Sequence, residues 1–262
     1  MTIESILAVG AGVRAAATAF VPGTGQSFTL RSQDSNKSMF IIDIMSIFGV
    51  ASNYSIRSPR MHDNVRGILF PVIDVTTLQC AMTGLRQAAI PQDNIQVVGG
   101  VGGGAATFDN VVFSVYYEDL VGMSGNLFKW SDIVSRVKNL LTVTCSPASS
   151  VVGDWGTAVA INATNDLFKA NTNYAILGGW SNMTAMIASV NGPCTGNVLT
   201  AFPVYPADQT DGRQHFVDLS LKTDLACIPV MHSSDKAATF FNVADITALG
   251  ADYVVLLAEL DG

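Results

Sequence analysis

The chain has 262 residues, of which 49 % are hydrophobic and only 13 % are charged, and its formal net charge is −7. This charged fraction is about half of the ~25 % usual for soluble domains, so it is too small to cover two independent surfaces. Residues 1–138 are neutral, with ten basic and ten acidic side chains, whereas residues 139–262 hold four basic and eleven acidic ones. Such a balance argues against a general nucleic-acid binder, which would be basic.

The surplus of apolar surface has to be covered by something other than water. No apolar run approaches the ~18–20 residues of a membrane helix, so we expect this surface to meet other protein in an obligate oligomer or assembly. The N-terminus has no cationic segment before its mild apolar stretch, which makes it a poor signal peptide and predicts synthesis inside the cell.

In the first half, short segments rich in β-branched and aromatic residues alternate with turn signals. Residues 3–20 are predicted as a strand or a docking arm. Met39–Val50 is almost continuously apolar, which predicts a strand buried on both faces. The further strands predicted here are 55–57, 66–74, 95–98 and 107–120, with a mobile loop at Gly99–Gly104.

Two segments of the first 144 residues have helical spacing. In residues 77–89, Leu78, Met82, Leu85 and Ala89 recur at helical intervals, and Pro91 ends the predicted helix. Residues 127–144 are predicted as a second, longer helix, because their apolar residues share one face. Those residues are Trp130, Ile133, Val134, Val137, Leu140 and Leu141. Its position predicts a linker helix packed across a domain boundary, or a helix reserved for a partner.

The second half is predicted to contain a further set of strands. They are Thr157–Asn162, Tyr174–Gly178, Met183–Val190, Val198–Tyr205, His215–Leu221, Ala226–Met231, Ala238–Phe241 and Tyr253–Leu260. A helical turn is predicted in the insertion at residues 242–252.

The two halves share short phrases at a nearly fixed offset. Ala105–Asn110 (AATFDN) returns 132 positions later as Ala237–Asn242 (AATFFN), and Phe70-Pro71-Val72 returns as Phe202-Pro203-Val204. A repeat near half the chain length predicts two like domains produced by internal duplication. We therefore expect domains at residues 1–126 and 145–262, joined by a linker helix at 127–144.

Sequence signatures for catalysis or cofactor binding are weak. Gly99–Gly104 lacks the Gly-Lys-Ser/Thr ending of a phosphate-binding loop, and His62 beside Asp63 has no nucleophile placed with it. Asp208, Asp211 and Asp218 do not have the spacing of a calcium loop. The cysteines Cys80, Cys145, Cys194 and Cys227 lack CxxC or zinc spacing, which predicts free, buried thiols. We expect no catalytic residues, no cofactor and no metal, and thus not an enzyme.

One local cluster points to an interface. Arg57, Arg60 and Arg66 lie within ten residues together with His62, whereas the equivalent stretch 189–199 has no charge. These four residues are predicted to contact an acidic neighbour, such as the −7 half of another subunit. A solvated turn is the alternative. Trp130, in the segment between the two predicted domains, is predicted as a further interface residue.

About eight short strands per half, few helices and no strand–helix alternation predict an all-β protein made of two tandem antiparallel sandwiches of jelly-roll type. In overall plan the chain resembles the double jelly-roll major capsid proteins of tailless icosahedral viruses and phages, although no motif is matched residue by residue. The resemblance implies a structural virion protein, assembled in the host cytoplasm. It also implies a homotrimer in which six β-domains form a pseudo-hexagonal tile, with other virion proteins as partners and no specific nucleic acid.

Two other functions remain open from the sequence. One is a two-domain carbohydrate- or ligand-binding protein of lectin or cupin type, with Trp155, Trp180, Tyr54, Tyr116 and Tyr117 as candidate pocket residues. The other is a different virion part, such as a tail or spike protein, or a filament subunit.

Overall fold

The computed structural model describes residues 1–34, 36–49, 52–60, 64–72, 78–147, 153–181, 186–206, 212–244 and 252–261, without the side chains of Leu85 and residues 103–107. The described chain is dominated by antiparallel strands, which confirms the prediction of an all-β sandwich fold. The strands of the first half are β1 (Thr2–Arg14), β2 (Thr18–Ala19), β3 (Val21–Pro22), β4 (Met39–Ile47), β5 (Ser52–Arg57), β6 (Ile68–Val72), β7 (Gln79–Ala88), β8 (Gln96–Gly99) and β9 (Gly102–Tyr117).

These strands form two sheets with a shared apolar core. The first sheet has the order β3-β1-β9-β4-β7 and the second has the order β2-β8-β5-β6. Side chains from one face of each sheet meet in this core, including Ile6, Ile44, Tyr54, Phe70 and Phe113. The inward side chains of β9 alternate with outward ones, as they do in a strand with one face on a core.

The second half begins with β10 (Leu127–Phe128). Its remaining elements are α1 (Trp130–Ile133), β11 (Val137–Cys145), β12 (Val159–Ala160), β13 (Asn173–Ser181), β14 (Met186–Asn191), β15 (Thr200–Pro206), α2 (His215–Thr223), β16 (Ile228–His232), β17 (Phe240–Ala244) and β18 (Tyr253–Leu260), with 3₁₀ turns at Val134–Arg136, Pro193–Thr195 and Ser233–Asp235. The strands β11-β18-β13-β16 lie side by side and face β12-β17-β14-β15 across a second core.

The strands of the two halves pair in the same order. In both halves the first long strand (β1 or β11) lies beside the last (β9 or β18), and the last lies beside β4 or β13, which in turn pairs with β7 or β16. The facing strands correspond in the same way, as β2-β8-β5-β6 and β12-β17-β14-β15, but in the second half β13 and β15 also pair in parallel at Trp180 and Tyr205, which joins its strands into one sheet. Within the described residues, strands up to Tyr117 pair only among themselves, as do strands from Leu127 onward.

One of the repeated phrases follows this correspondence and the other does not. Asn53 pairs with Pro71 and Tyr54 with Phe70, just as Ile187 pairs with Pro203 and Ala188 with Phe202. The Phe-Pro-Val phrase therefore occupies the same register in β6 and β15. The longer phrase lies in the last strand, β9, in the first half, but it extends into the penultimate strand, β17, in the second. It is not evidence for the correspondence.

The helix predicted at 127–144 is wrong over most of its length. Only Trp130–Ile133 is α-helical, and Val137–Cys145 is the strand β11, which pairs with β18. A register shift between Val137 and Asn139 adds a residue to this strand, and Val143 and Cys145 then alternate into the core. Because of the extra residue, the intervals between apolar residues in the sequence resemble those of a helix.

The helix predicted at 77–89 is also wrong, because residues 79–88 form the strand β7. Register shifts against β4 put extra residues into β7, so that the pairing steps from Gln87 to Thr83 while β4 advances from Ile41 to Asp43. Consequently Leu78 packs outside the first sandwich whereas Met82 packs against its core. The apolar residues that suggested one face of a helix therefore lie on the two opposite faces of the sheet.

The strand predicted at His215–Leu221 is a helix, α2. Its buried residues include Phe216, Val217, Leu219, Ser220 and Thr223, which recur at helical rather than alternating intervals. The apolar alternation of Val217, Leu219 and Leu221 was misleading, since Leu221 is exposed.

The mobile loop predicted at Gly99–Gly104 is likewise wrong, because Gly99 ends β8 and Gly102 begins β9. Gly99 lies so close to the Phe20 ring that a Cβ atom would come within 2.3 Å of it. The Arg14 guanidinium holds the short connection by donating from Nε to the carbonyl oxygen of Gly100 at 2.8 Å, and it forms a buried ion pair with Asp109. Burial raises the pKa of Asp109 although Arg14 opposes this.

Candidate assembly interface

Strand β4 is buried on both faces, as predicted, because the second half packs on the outer face of the first sheet. Leu7, Met45 and Val112 point away from the core of the first sandwich, yet each is fully buried. They contact side chains from the outer face of the β14–β15–β17 sheet, which are Ile187, Ala201, Tyr205 and Ala244, together with Trp155. The chain thus contains one sandwich docked face to face on another.

A second apolar patch extends this contact. Ile3, Ile42 and Tyr116 of the first sheet pack against Leu127, Leu219, Ala226 and Cys227, which come from β10, α2 and the segment after α2. Part of the apolar surplus in the composition is therefore covered within the chain. Burial raises the pKa of Tyr116 to about 12.

A polar row runs between these two apolar patches. Ser5, Ser114 and Asp43 lie side by side on β1, β9 and β4. The Ser5 Oγ accepts from the backbone N–H of Ala201 at 2.7 Å and lies 2.8 Å from the Ser114 Oγ, and the Ser5 N–H donates to the carbonyl oxygen of Leu199 at 2.7 Å. Directional bonds in the middle of an apolar contact fix how the two sandwiches are aligned.

Asp43 is the charged member of this row. Its carboxylate is fully buried, accepts from the Thr83 Oγ1 at 2.9 Å, and lies 3.1 Å from Nε2 of His215, the first residue of α2. The carboxylate and the imidazole are in contact without the alignment of a hydrogen bond. This pair connects β4 of the first half to α2 of the second.

Polar contacts also close the rims of the interface. The Gln26 side chain accepts from Trp155 Nε1 at 3.1 Å and donates to the carbonyl oxygen of Ser5 at 2.7 Å, while the Asp154 carboxylate accepts from the backbone N–H of Thr24. At the opposite rim, the Tyr205 hydroxyl lies 3.5 Å from the Cys80 Sγ. The second sandwich is thereby held at both ends of its contact.

Two clefts lie along the seam between the halves. One, of about 470 Å³, is bounded by Phe40 and Tyr116 of the first half and by Leu127 and Leu225 of the second, with the Arg86 guanidinium 4.7 Å from the Phe40 ring centre. The other, of about 360 Å³, is polar and is lined by residues that include Cys80, Thr83, His215 and Lys222. Within the described residues no cluster of three or more His, Cys, Asp or Glu side chains fits a metal ion.

The predicted interface residues are not brought together into one site. Arg57 ends β5 and donates from Nε to the Ser55 Oγ at 3.0 Å, Arg60 donates to the carbonyl oxygen of Pro91 at 3.3 Å, and Arg66 is exposed in the turn before β6. Trp130 begins α1, half-buried against the core of the second sandwich and far along the chain from the turn. His62 lies outside the described residues, as do Asp208 and Asp211.

The docking residues were missed by sequence reasoning, although one signal was present. Asp43 interrupts an otherwise apolar strand, and a charged residue in a strand buried on both faces needs a partner. His215, 172 positions away in sequence numbering, is that partner, and no local pattern identifies it.

The aromatic residues considered for a sugar pocket have other roles. Tyr54 and Tyr117 are fully buried in the first core, and Tyr116 and Trp155 pack between the halves. Trp180 is half-buried with the Arg213 guanidinium 5.2 Å from its ring centre. These five residues do not form a shared platform.

The cysteines divide into two groups. Cys145, Cys194 and Cys227 are free and buried, as predicted, and burial raises the pKa of each thiol to about 12. Cys80 is exposed, so the prediction of burial is wrong for this residue.

Comparison with known proteins adds little to the geometry. No protein-family model and no curated protein matches the chain. A solved structure, the crystal structure of PBSX exported protein XepA, aligns over 98 % of this chain and 86 % of its own, at 10 % sequence identity and a TM-score of 0.23. A likeness this weak carries no argument about fold or function. None of the described helices has the length and apolar character required to cross a membrane.

Proposed function

We propose that the protein is a self-assembling structural subunit of a virion shell, of the double jelly-roll type, and that its two sandwiches are jelly rolls descended from one duplicated unit. The observation that carries the proposal is the repeated strand order, with one sandwich docked through a sheet face onto the other. The Phe-Pro-Val phrase, repeated in the same register, supports the duplication.

The docking contact is heterologous, since the outer face of one sheet meets a different sheet of the other sandwich. A contact of this kind leaves one copy of each face unused at the two ends of the pair, so further copies can add in the same way until a ring closes. Three chains would provide six similar sandwiches for a pseudo-hexagonal tile. The proposal assigns the chain a place in the virion, assembled in the host cytoplasm, and no reaction.

The experiment is a mass measurement of the purified protein across a concentration series, followed by electron microscopy of the largest species. We expect closed trimers and sheets or shells built from them. A protein that stays monomeric at the highest soluble concentration and in crowded solution would contradict the proposal. Open-ended polymers would instead support a filament subunit.

A further inference from the structure

The two surfaces that dock on each other within the chain each have an equivalent surface in the other half. In both cases the docked surface is buried and its equivalent is more exposed. On the first sheet, the outward residues Leu7, Met45 and Val112 are fully buried under the second sandwich. The corresponding sheet of the second half has outward rows at Thr144–Val254–Trp180 and Thr142–Leu256–Gly178, next to Leu140 on β11. We call the side chains of Leu140, Thr142, Val254, Leu256 and Trp180 the receiving face.

The receiving face is apolar and only partly covered within the chain: the Arg213 guanidinium lies 5.2 Å from the Trp180 ring centre, and Leu256 packs against the second core. Leu140 is 62 % exposed, Thr142 is exposed, and Val254, Leu256 and Trp180 are half-buried. The pairing of Val254 and Leu256 with β13 matches that of Val112 and Ser114 with β4, because the register shift lies beside Leu256 in one sheet and beside Ser114 in the other. Val112 and Ser114 lie between the two sandwiches. Apolar side chains at these positions are thus placed as the buried ones are in the first half.

The complementary surface is on the first half. In the second half, Ile187 and Ala201 dock on the first sheet, and Pro203 in the same strand as Ala201 is buried. The residues at the equivalent positions of the first half are Asn53, Leu69 and Pro71. All three are exposed, and Leu69 is 63 % exposed. We call the surface of Asn53, Arg57, Leu69, Pro71 and Gln96 the donor face.

The turn beside each donor surface shows the same contrast. In the second half, the turn between β14 and β15 is held by the connection that precedes β10, where the N–H of Asn126 donates to the carbonyl oxygen of Cys194 at 2.8 Å, and Val198 is buried. In the first half, the equivalent turn between β5 and β6 exposes Val65 by 69 %, together with Arg60 and Arg66.

We infer that the receiving face binds the donor face of a second copy of this chain, in the arrangement that the two halves already adopt within one chain. The inference rests on the proposed function and names the surfaces through which it would act. The net charges favour this occupant, because the half that bears the receiving face holds eleven acidic and four basic residues, while the donor face and its turn hold Arg57, Arg60 and Arg66. Opposite charge accelerates such an encounter and is screened by salt.

Charge-introducing variants test this contact. Leu69→Asp on the donor face and Leu140→Asp on the receiving face each place a carboxylate in the proposed contact without disturbing a buried side chain. We expect each variant to fold, as judged by an unchanged circular dichroism spectrum and melting temperature, and to remain monomeric at concentrations at which the wild type assembles. Leu221→Asp, at a leucine of α2 that is equally exposed at 63 %, is the matched control and should assemble normally.

Disulfide trapping provides a second measurement. In a Cys80→Ser background, the double variant Leu69→Cys/Thr142→Cys is expected to form disulfides between chains under mild oxidation, whereas either single variant and the pair Leu69→Cys/Leu221→Cys do not show a ladder of linked chains. If the wild type assembles while Leu69→Asp and Leu140→Asp assemble equally well, and no ladder forms, this inference is overturned and the proposed function stands. A wild type that never assembles overturns the proposed function itself.

Discussion

The two sandwiches have the same strand order but opposite surfaces. On the first sheet of the first half, the outward side chains of Leu7, Met45 and Val112 are completely buried, and a polar row with a carboxylate lies beside them. On the corresponding sheet of the second half they are threonine and apolar side chains, open or half-open to solvent. Strand order alone therefore does not decide which face of a sheet is buried. The presence of a neighbouring sandwich does.

The largest expected difference comes from placing a charge on each of these two faces. Leu7→Asp would bury a carboxylate between the sandwiches and should cost more than about 4 kcal/mol of the free energy of unfolding, or prevent folding. Leu140→Asp should change it by less than about 0.5 kcal/mol. Urea denaturation of the monomer measures both, and Leu7→Ala, expected to cost about 2–5 kcal/mol, replaces Leu7→Asp if that variant does not fold. Equal effects at the two positions would contradict the comparison.

The next effect concerns an ion pair buried inside the first sandwich. Arg14→Met should destabilise the protein by about 3–5 kcal/mol, because it leaves Asp109 buried without its partner. The double variant Arg14→Met/Asp109→Leu should recover most of this loss, since it removes both charges from the low-dielectric interior. Thermal unfolding of the three proteins at neutral pH provides the comparison. If the double variant is as unstable as Arg14→Met, the orphaned carboxylate is not the cause.

A smaller effect is expected where the two halves meet through Asp43 and His215. Asp43→Asn removes the charge while keeping the shape, and we expect a loss of about 1–3 kcal/mol. A double-mutant cycle with His215→Gln should give a coupling energy between the halves of about 1 kcal/mol, since the contact is close but poorly aligned. Coupling indistinguishable from zero would mean that the two side chains are neighbours without an energetic link.

The last prediction concerns reactivity rather than stability: the thiols of the two halves should differ in how fast they are modified. Cys80, in the first half, should react rapidly with a disulfide reagent at pH 8, whereas Cys145, Cys194 and Cys227 should react only on unfolding. Burial raises their pKa to about 12, so almost no thiolate is present at pH 8, and the reagent cannot reach them. Native Cys80→Ser should therefore show no fast thiol, and all four should titrate in denaturant. A second fast thiol would show that part of the second core, or of the apolar patch between the halves, is open to solvent.

Much of the fold could be predicted from local pattern. The apolar segment of β4 predicts a strand covered on both faces, and the structure confirms it. The short strands and their turns follow from β-branched and aromatic residues between Gly, Pro and Asn. The errors have identifiable physical causes. Register shifts add several residues to β7 and one residue to β11, and a bulged strand then has the spacing of a helix.

The interface could not be predicted, because it depends on partners far apart in the chain. Ser5 and Ala201, or Asp43 and His215, share no local pattern, and only the pairing of the sheets brings them together. The charged turn at Arg57–Arg66 was a visible signal, yet the structure shows only that it is exposed around Arg60 and Arg66. The prediction that these residues contact an acidic neighbour stays a prediction, as does the boundary of the domains at residues 126 and 145.

The connection between the two sandwiches, from Glu118 to Asn126, has a thermodynamic consequence. Because it keeps the two docking surfaces of one chain permanently close, that contact forms at a high effective concentration and does not lose the translational entropy of association. An equivalent contact between separate chains has no such tether, so its occupancy depends on how many molecules are present. If the proposed assembly forms through such contacts, we expect the chain to stay folded and singly dispersed when dilute, and to polymerise only once synthesis has raised its concentration past a threshold.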